Sequence, residues 1–213
     1  MGQIINSQFD ALVFDLGRVV INFDFRRALD KLHGKTPYST LELITRLKNV
    51  SLIYEFESGR LTSEQFFRQI KSTLQLDLKF EEFSSIWSDI FFERLILEES
   101  LFDSLKPHYR LILLSNTNPM HASFLKENFP VLKKFDHLVF SHEVGALKPA
   151  EAVYRAVQKM AGTKPSRLFY VDDILEYVEA ARRLGWSAVQ FTGKDQLLAD
   201  MRSHGIFAEG RQG

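Results

Sequence analysis

Four places along the chain present groups that could handle a phosphoryl group: Asp15, Ser115, Lys148 and the adjacent pair Asp172 and Asp173. An aspartate that attacks phosphorus must have its own charge and that of the phosphate screened, and a magnesium ion held by nearby carboxylates does this. Magnesium takes oxygen ligands, keeps several waters and needs only one or two carboxylates, a demand that Asp15 with Asp172 or Asp173 meets. Ser115 and the backbone amides after it, from Asn116 onward, offer donors to phosphate oxygens, and Lys148 offers a cation for charge that builds in the transition state. Singly, each residue has an ordinary explanation. Asp15 ends a strand, Asp173 caps a helix, Ser115 sits in a turn, and a lone lysine is usually on the surface. Their value lies in their order and in the elements that present them.

Ala11-Leu12-Val13-Phe14 is a short apolar run, suited to a strand buried on both faces of a parallel sheet, and it stops abruptly at Asp15. In an open α/β sheet, ligands lie beyond the carboxyl ends of the strands, so an acid one residue past such a strand points into the site. Gly17 then lets the backbone turn or approach a ligand closely. Residues 111–114, 137–140, 168–171 and 187–191 read as further strands. Between them fall helix signals: Asn118-Pro119 as an N-cap with proline at the first position, a helix after Lys148-Pro149, and one over residues 175–184 closing with Arg182, Arg183 and Gly185. A last short helix from Lys194 and a frayed end follow. Alternating strands and helices predict an α/β, Rossmann-like core: a parallel sheet covered on both faces.

One crossover departs from this pattern. A connection between parallel strands needs a dozen or so residues, roughly, including its helix, yet the one after Asp15 reaches to Leu111. Ser39 with Glu42 and Thr62 with Gln65 read as capping boxes, and Phe66, Phe67, Ile70 and Leu74, like Phe83, Ile86, Trp87 and Ile90, recur at helical intervals as the core of a helical bundle. No strand is expected between Arg26 and Leu97. The chain therefore divides into a core of residues 1–24 and 98–213 and an inserted all-helical cap of residues 25–97. Because the insert leaves the sheet at its ligand-binding end, it is placed to cover whatever Asp15 touches, excluding water and choosing the substrate. Glu55, Glu57 and Arg60 are its candidate polar contacts, or simply solvated helix ends.

Composition bounds the rest. The 213 residues are 45% hydrophobic and 25% charged, ordinary material for a folded globular chain. Lys plus Arg equals Asp plus Glu at 27 each, which gives no global field for nucleic acid or an anionic membrane. Without cysteine there is no disulfide, thiolate metal site or cysteine nucleophile, and the six histidines show no metal-ligand spacing on a helix. No apolar run is long enough to span a bilayer and no secretory pattern is seen, so the expected compartment is the cytoplasm.

The order of these segments resembles the haloacid dehalogenase superfamily. Phe14-Asp15-Leu16-Gly17 is similar to its nucleophile motif, Leu113-Leu114-Ser115-Asn116-Thr117-Asn118 to the second, Lys148-Pro149 to the third and Val171-Asp172-Asp173 to the fourth. More narrowly, Asp15-Leu16-Gly17 followed by Val19-Val20, and Glu57-Ser58-Gly59-Arg60-Leu61-Thr62, resemble the branch that contains alpha-D-glucose-1-phosphate phosphatase. The resemblance implies a helical cap after the first motif, an aspartyl-phosphate mechanism with Mg2+, and a small phosphorylated metabolite as substrate, with no nucleic acid or membrane partner. It also implies a metal ligand from the backbone carbonyl of residue 17.

Two departures bear on the chemistry. Most phosphatases of the superfamily carry a second aspartate two residues after the nucleophile, as general acid and base, and here Gly17 stands there. Leaving-group protonation is worth on the order of a hundred- to ten-thousand-fold, so its loss favours substrates with less basic leaving oxygens, such as sugar 1-phosphates. Asp24 either reaches back as a substitute or serves as an ordinary hinge residue. After Asp173, Ile174-Leu175-Glu176-Tyr177 replaces a smaller polar run, and Arg18 replaces an asparagine, either binding an anion or lying on the surface. Two other readings compete: a carbon–halogen hydrolase using Asp15 as an ester-forming nucleophile, whose chemistry needs no magnesium, and a non-catalytic module that binds phosphate or metal.

Overall fold

The structure is a computed structural model that describes residues 8–48 and 51–207. The apolar run before Asp15 forms β1 (Ala11–Phe14), buried at every residue. A short strand, β2 (Ile21–Phe23), follows, and then the helices α1 (Arg26–His33), α2 (Thr40–Lys48), α3 (Leu52–Glu57), α4 (Ser63–Leu74) and α5 (Phe80–Ser88). After β3 (Phe91–Leu95) and α6 (Glu99–Leu105), strands and helices alternate: β4 (Arg110–Ser115), α7 (Pro119–Asn128), β5 (His137–Phe140), α8 (Ser141–Val144), α9 (Glu151–Ala161), β6 (Leu168–Asp172), α10 (Leu175–Arg183), β7 (Ser187–Gln190) and α11 (Lys194–Ser203). The frayed end expected after α11 falls mostly at residues 208–213, outside the described residues.

Five parallel strands form the main sheet in the order β5-β4-β1-β6-β7. With side chains alternating between faces, Leu12, Phe14, Leu113 and Val171 join Phe102, Leu125 and Leu197 of α6, α7 and α11 on one side. Ala11, Val13, Leu114 and Tyr170 join Val153, Tyr154 and Val178 of α9 and α10 on the other. The sheet is thus the middle layer of a Rossmann-like sandwich. β1 lies at its centre, and the chain fills the β4 side of it first and crosses to the β6 side only after β5, so the crevice for a ligand opens where the loops after β1, β4 and β6 part.

The helices between the first two sheet strands bury their own core: Leu29 and Leu32, Leu43, Phe56, Phe66 with Ile70 and Leu74, and Phe83 with Trp87. The expected aromatic stripes pack inward here, with Phe56 and Phe66 stacked at 4.1 Å. Both capping pairs form: Thr62 and Gln65 bond reciprocally at the start of α4, and Glu42 Oε2 accepts from the Ser39 backbone N–H at 2.8 Å. The expectation of no strand before Leu97 requires correction. Phe91–Leu95 is β3, paired antiparallel with β2 so that Ile21 faces Leu95 and Phe23 faces Phe91. Its sequence, Phe-Phe-Glu-Arg-Leu, lacks alternation because the ribbon is only two strands wide and no residue of β3 is fully buried. The ribbon carries the chain into and out of the cap. Among the described residues, no helix is long and apolar enough to cross a membrane.

Candidate active site

Three strand ends meet at the crevice. Asp15 follows β1, Ser115 closes β4 and Asp172 closes β6, and all three are buried. Lys148 reaches them from the loop between α8 and α9, its Nζ 2.6 Å from both Asp15 Oδ1 and Asp172 Oδ2. The loop is held by Asn116, whose Oδ1 accepts from the Lys148 backbone N–H at 2.8 Å and whose Nδ2 donates to the Lys148 carbonyl at 3.2 Å. The Asn116 side chain therefore positions Lys148, and the part expected of Asn116, its backbone amide facing phosphate, does not depend on that side chain.

The two aspartates after β6 are not equivalent. Asp172 Oδ2 accepts from Lys148 and from the Tyr170 hydroxyl, and its Oδ1 accepts from the Ile174 N–H at 2.9 Å. Asp172, not Asp173, thus bonds the first turn beside α10, because the chain bends there so that the buried carboxylate meets the amide two residues on. Asp173 is half-buried, and no other described residue donates a hydrogen bond to its carboxylate. Burial pushes the Asp15 carboxyl up to about 7, with the Lys148 charge pulling against it and Asp172 adding to it. Burial also opposes the Lys148 charge, but Asp15 and Asp172 outweigh it and hold the ammonium well above its ordinary value.

The donor set fits a hard divalent cation. One oxygen from each of Asp15, Asp172 and Asp173 can be chosen so that all three lie within 4.8 Å of one another. Asp15 has one carboxylate oxygen beyond the one bonded to Lys148, and Asp173 keeps both. Three carboxylates about one ammonium leave a surplus of negative charge in a region of low dielectric, which a small oxygen-seeking cation would offset.

A cavity of about 430 Å³ lies over Asp15, Ser115 and Lys148, and Phe23, Phe25, Glu57 and Phe91 close it from the cap side. Larger recesses beside α9 and beside β3 contain none of the catalytic candidates. Within the cavity, a Cβ added at Gly17 would lie 2.6 Å from Cε1 of Phe23. The place where a second aspartate side chain would begin is filled by a ring from β2. Arg18 takes a left-handed backbone (φ 59°) and lays its guanidinium 5.3 Å from the centre of the same ring, exposed at the cavity rim.

The remaining candidates separate clearly. Asp24 stands at the start of α1, where its Oδ1 accepts from the Arg26 N–H at 2.9 Å, and it does not line the cavity. His121 lines the cavity, but Asn118 Nδ2 lies 3.0 Å from its Nδ1 and the Trp87 carbonyl 2.9 Å from its Nε2. Burial pushes this imidazole down to about 4, so it is neutral and ties α7 to α5. His142 Nδ1 is 3.1 Å from the Thr117 carbonyl. Of the cap's polar trio, Glu55 is bonded by the Ser51 hydroxyl at 2.8 Å and Arg60 lies over the Tyr54 ring, while Glu57 alone lines the cavity. Sequence reasoning missed Tyr170 and Phe23. The first is hidden in an apolar strand, and the second acts through a ribbon the sequence did not announce.

Comparison with known proteins agrees with this arrangement. The chain is 26% identical over 185 residues to D-ribitol-5-phosphate phosphatase of Bacteroides thetaiotaomicron, covering 84% of this chain and 90% of that protein. It is 26% identical over 217 residues to the phosphatase MT3486 of Mycobacterium tuberculosis, covering 94% and 97%. Its fold matches that of a haloacid dehalogenase family enzyme of Bacteroides thetaiotaomicron solved in complex with magnesium and inorganic phosphate, with a TM-score of 0.78 at 24% identity over 87% of this chain and 95% of that one. The family model for haloacid dehalogenase-like hydrolases matches residues 9–185, which include every strand end described above. With sheet order, buried lysine and carboxylates all in agreement with that match, this chain belongs to the haloacid dehalogenase-like hydrolases.

Proposed function

We propose that this hydrolase is a cytoplasmic, magnesium-dependent phosphatase that releases phosphate from a small phosphorylated metabolite through an aspartyl-phosphate on Asp15. The observation that carries this reading is the pairing of Lys148 with both Asp15 and Asp172, which leaves one oxygen of Asp15 and the whole Asp173 carboxylate free at the cavity. Asp173 and the Gly17 carbonyl, with the Asp15 carboxylate through the oxygen that does not attack, would hold the magnesium ion, and Asp172 would serve as the fixed counter-charge of Lys148. When bound, the ion supplies charge neutralisation between the nucleophile and the phosphoryl oxygens.

The chain's own groups do the rest. The free oxygen of Asp15 attacks phosphorus, opposite the departing oxygen. Lys148 keeps Asp15 oriented and, as the phosphoryl group arrives, stands beside the oxygens on which charge collects. Ser115 and the amides of the segment from Asn116 receive the phosphoryl oxygens, and Arg18 at the rim attracts the dianion. Phe23, Phe25 and Phe91 wall the cavity with apolar surface and so limit the water that surrounds the anhydride-like intermediate. The similarity to a phosphatase of ribitol 5-phosphate and to a structure holding magnesium and phosphate supports this reading. Carbon–halogen hydrolysis gives the free Asp173 carboxylate no task and is not favoured.

A glycine at position 17 supplies no acid, so unless another group protonates the leaving oxygen, substrates with a weakly basic leaving oxygen, such as sugar 1-phosphates, are favoured. The test is phosphate release from sugar phosphates, nucleotides and an aryl phosphate, with magnesium or with EDTA, for the wild type and Asp15→Asn. Turnover that requires both magnesium and Asp15 is expected. Turnover by Asp15→Asn, or none by the wild type on any ester, would overturn the assignment. Cleavage of an aldose 6-phosphate with no cleavage of the matching 1-phosphate would remove the preference for 1-phosphates.

A further inference from the structure

We propose that Glu57, carried by the cap, is the proton donor to the leaving oxygen and the acceptor of the proton from the attacking water. The inference rests on the phosphatase reading and supplies the acid that Gly17 lacks. In the first step the Asp15–phosphorus bond forms, the phosphorus–oxygen bond of the ester breaks, and the Glu57 proton goes to the departing alkoxide, giving an alcohol and a Glu57 carboxylate. In the second step that carboxylate takes a proton from water as the water oxygen bonds to phosphorus and the Asp15–phosphorus bond breaks. Inorganic phosphate, free Asp15 and protonated Glu57 result.

Geometry singles this residue out. Glu57 is the last residue of α3 and lines the cavity with Asp15 and Lys148. Its place is set by backbone contacts to the core, not by its side chain. The Ser141 hydroxyl donates to the Glu57 carbonyl at 2.7 Å, and Ser141 Oγ itself accepts from the Thr117 N–H at 2.9 Å, beside the segment that would receive phosphate. Gly59 (φ 70°) presses on the His142 carbonyl so closely that a Cβ there would lie 2.2 Å from it. The end of α3 is therefore clamped over the cavity while the Glu57 carboxyl makes no hydrogen bond to another described residue.

None of the cavity's other ionisable groups is placed to give and then take back a proton near neutrality. Lys148 is shared by two carboxylates, His121 has both ring nitrogens bonded, Asp173 stands with the metal-facing set, Arg18 has no proton to give near neutrality, and Tyr177 is raised by burial. Of the elements packed on α3, α4 carries Glu64, Arg68 and Lys71, and α8 carries His142 and Glu143. None of these ion-pairs with Glu57, and burial alone raises it to about 7, so near neutral pH it holds a proton in a useful fraction of molecules.

The experiment compares Glu57→Gln with the wild type, with magnesium, on p-nitrophenyl phosphate and on alkyl esters including ribitol 5-phosphate. The expected result is a split: kcat/KM falls on the order of a hundredfold or more on alkyl esters, and at least about tenfold less on the aryl ester, whose leaving group needs no proton. Equal losses on both esters would overturn the inference and make Glu57 a structural residue. Should Glu57→Gln fail to fold, the wild type alone decides: a shallow dependence of log kcat/KM on leaving-group pKa supports the donor, and a steep one overturns it. Wild-type turnover confined to the aryl ester would also overturn it while sparing the phosphatase reading. No wild-type turnover on any ester would remove that reading itself.

Discussion

A carboxyl raised by burial weakens the fold as it ionises, and Glu57 allows this to be measured apart from turnover. Its carboxyl titrates at about 7 in the folded protein against an ordinary 4.5, with burial as the cause. Between those values the unfolded chain binds fewer protons than the native one, so stability falls as pH rises through the interval. At 1.36 kcal/mol per pKa unit the full penalty above neutrality is about 3 kcal/mol, a ceiling because water in the cleft screens part of it. Glu57→Gln removes the charge and keeps the shape. Relative to the wild type it should gain little below pH 4.5 and the full amount above pH 7. For a domain of this size, roughly 2–4 °C of Tm per kcal/mol puts the gain at pH 8 at no more than about 6–12 °C. Thermal unfolding of both proteins from pH 4 to 8, in EDTA, provides the curves. Asp15, also raised, is present in both and cancels in the difference. Parallel curves across this range would refute the argument that Glu57 is desolvated.

Two further perturbations test the site. Gly17→Asp restores the aspartate usual in the family but drives a Cβ to 2.6 Å from the Phe23 ring, so it should cost about 1–3 kcal/mol in urea unfolding, and combination with Phe23→Ala should be less costly than the sum of the two. Additive costs would show that the ring does not exclude the side chain. Lys148→Met leaves Asp15 and Asp172 buried without their shared cation, which should abolish turnover and lower stability by about 3–5 kcal/mol. Added magnesium should recover a larger part of that loss in the variant than it adds to the wild type, and equal increments would argue that the ion does not bind among these carboxylates.

Much of the framework was legible because it is written in short periods. The four-residue apolar run of β1 and its stop at Asp15, the capping pair Thr62 and Gln65, and the Asn118-Pro119 helix start each depend on residues within one or two turns of each other. The order of Asp15, Ser115, Lys148 and Asp172 needed only the rule that parallel strands gather their carboxyl ends at one edge. The β2–β3 ribbon was not legible, because each strand is short, partly exposed and paired with a partner remote in sequence.

Sequence by itself therefore determined the class of fold and the long helical stretch after β1, and it nominated the groups proposed to meet phosphate. It could not rank equivalent groups. That Asp172 spends its oxygens on Lys148, Tyr170 and Ile174 while Asp173 keeps its own, that Asn116 holds the Lys148 loop, and that Glu57 rather than Glu55 or Arg60 overlooks the cavity were decided by the tertiary structure. The physical reason is range. Periodicity and capping act between neighbours along the chain, whereas burial and hydrogen-bond occupancy belong to whichever distant elements pack against a side chain, and these are what separate a free carboxylate from one already bonded.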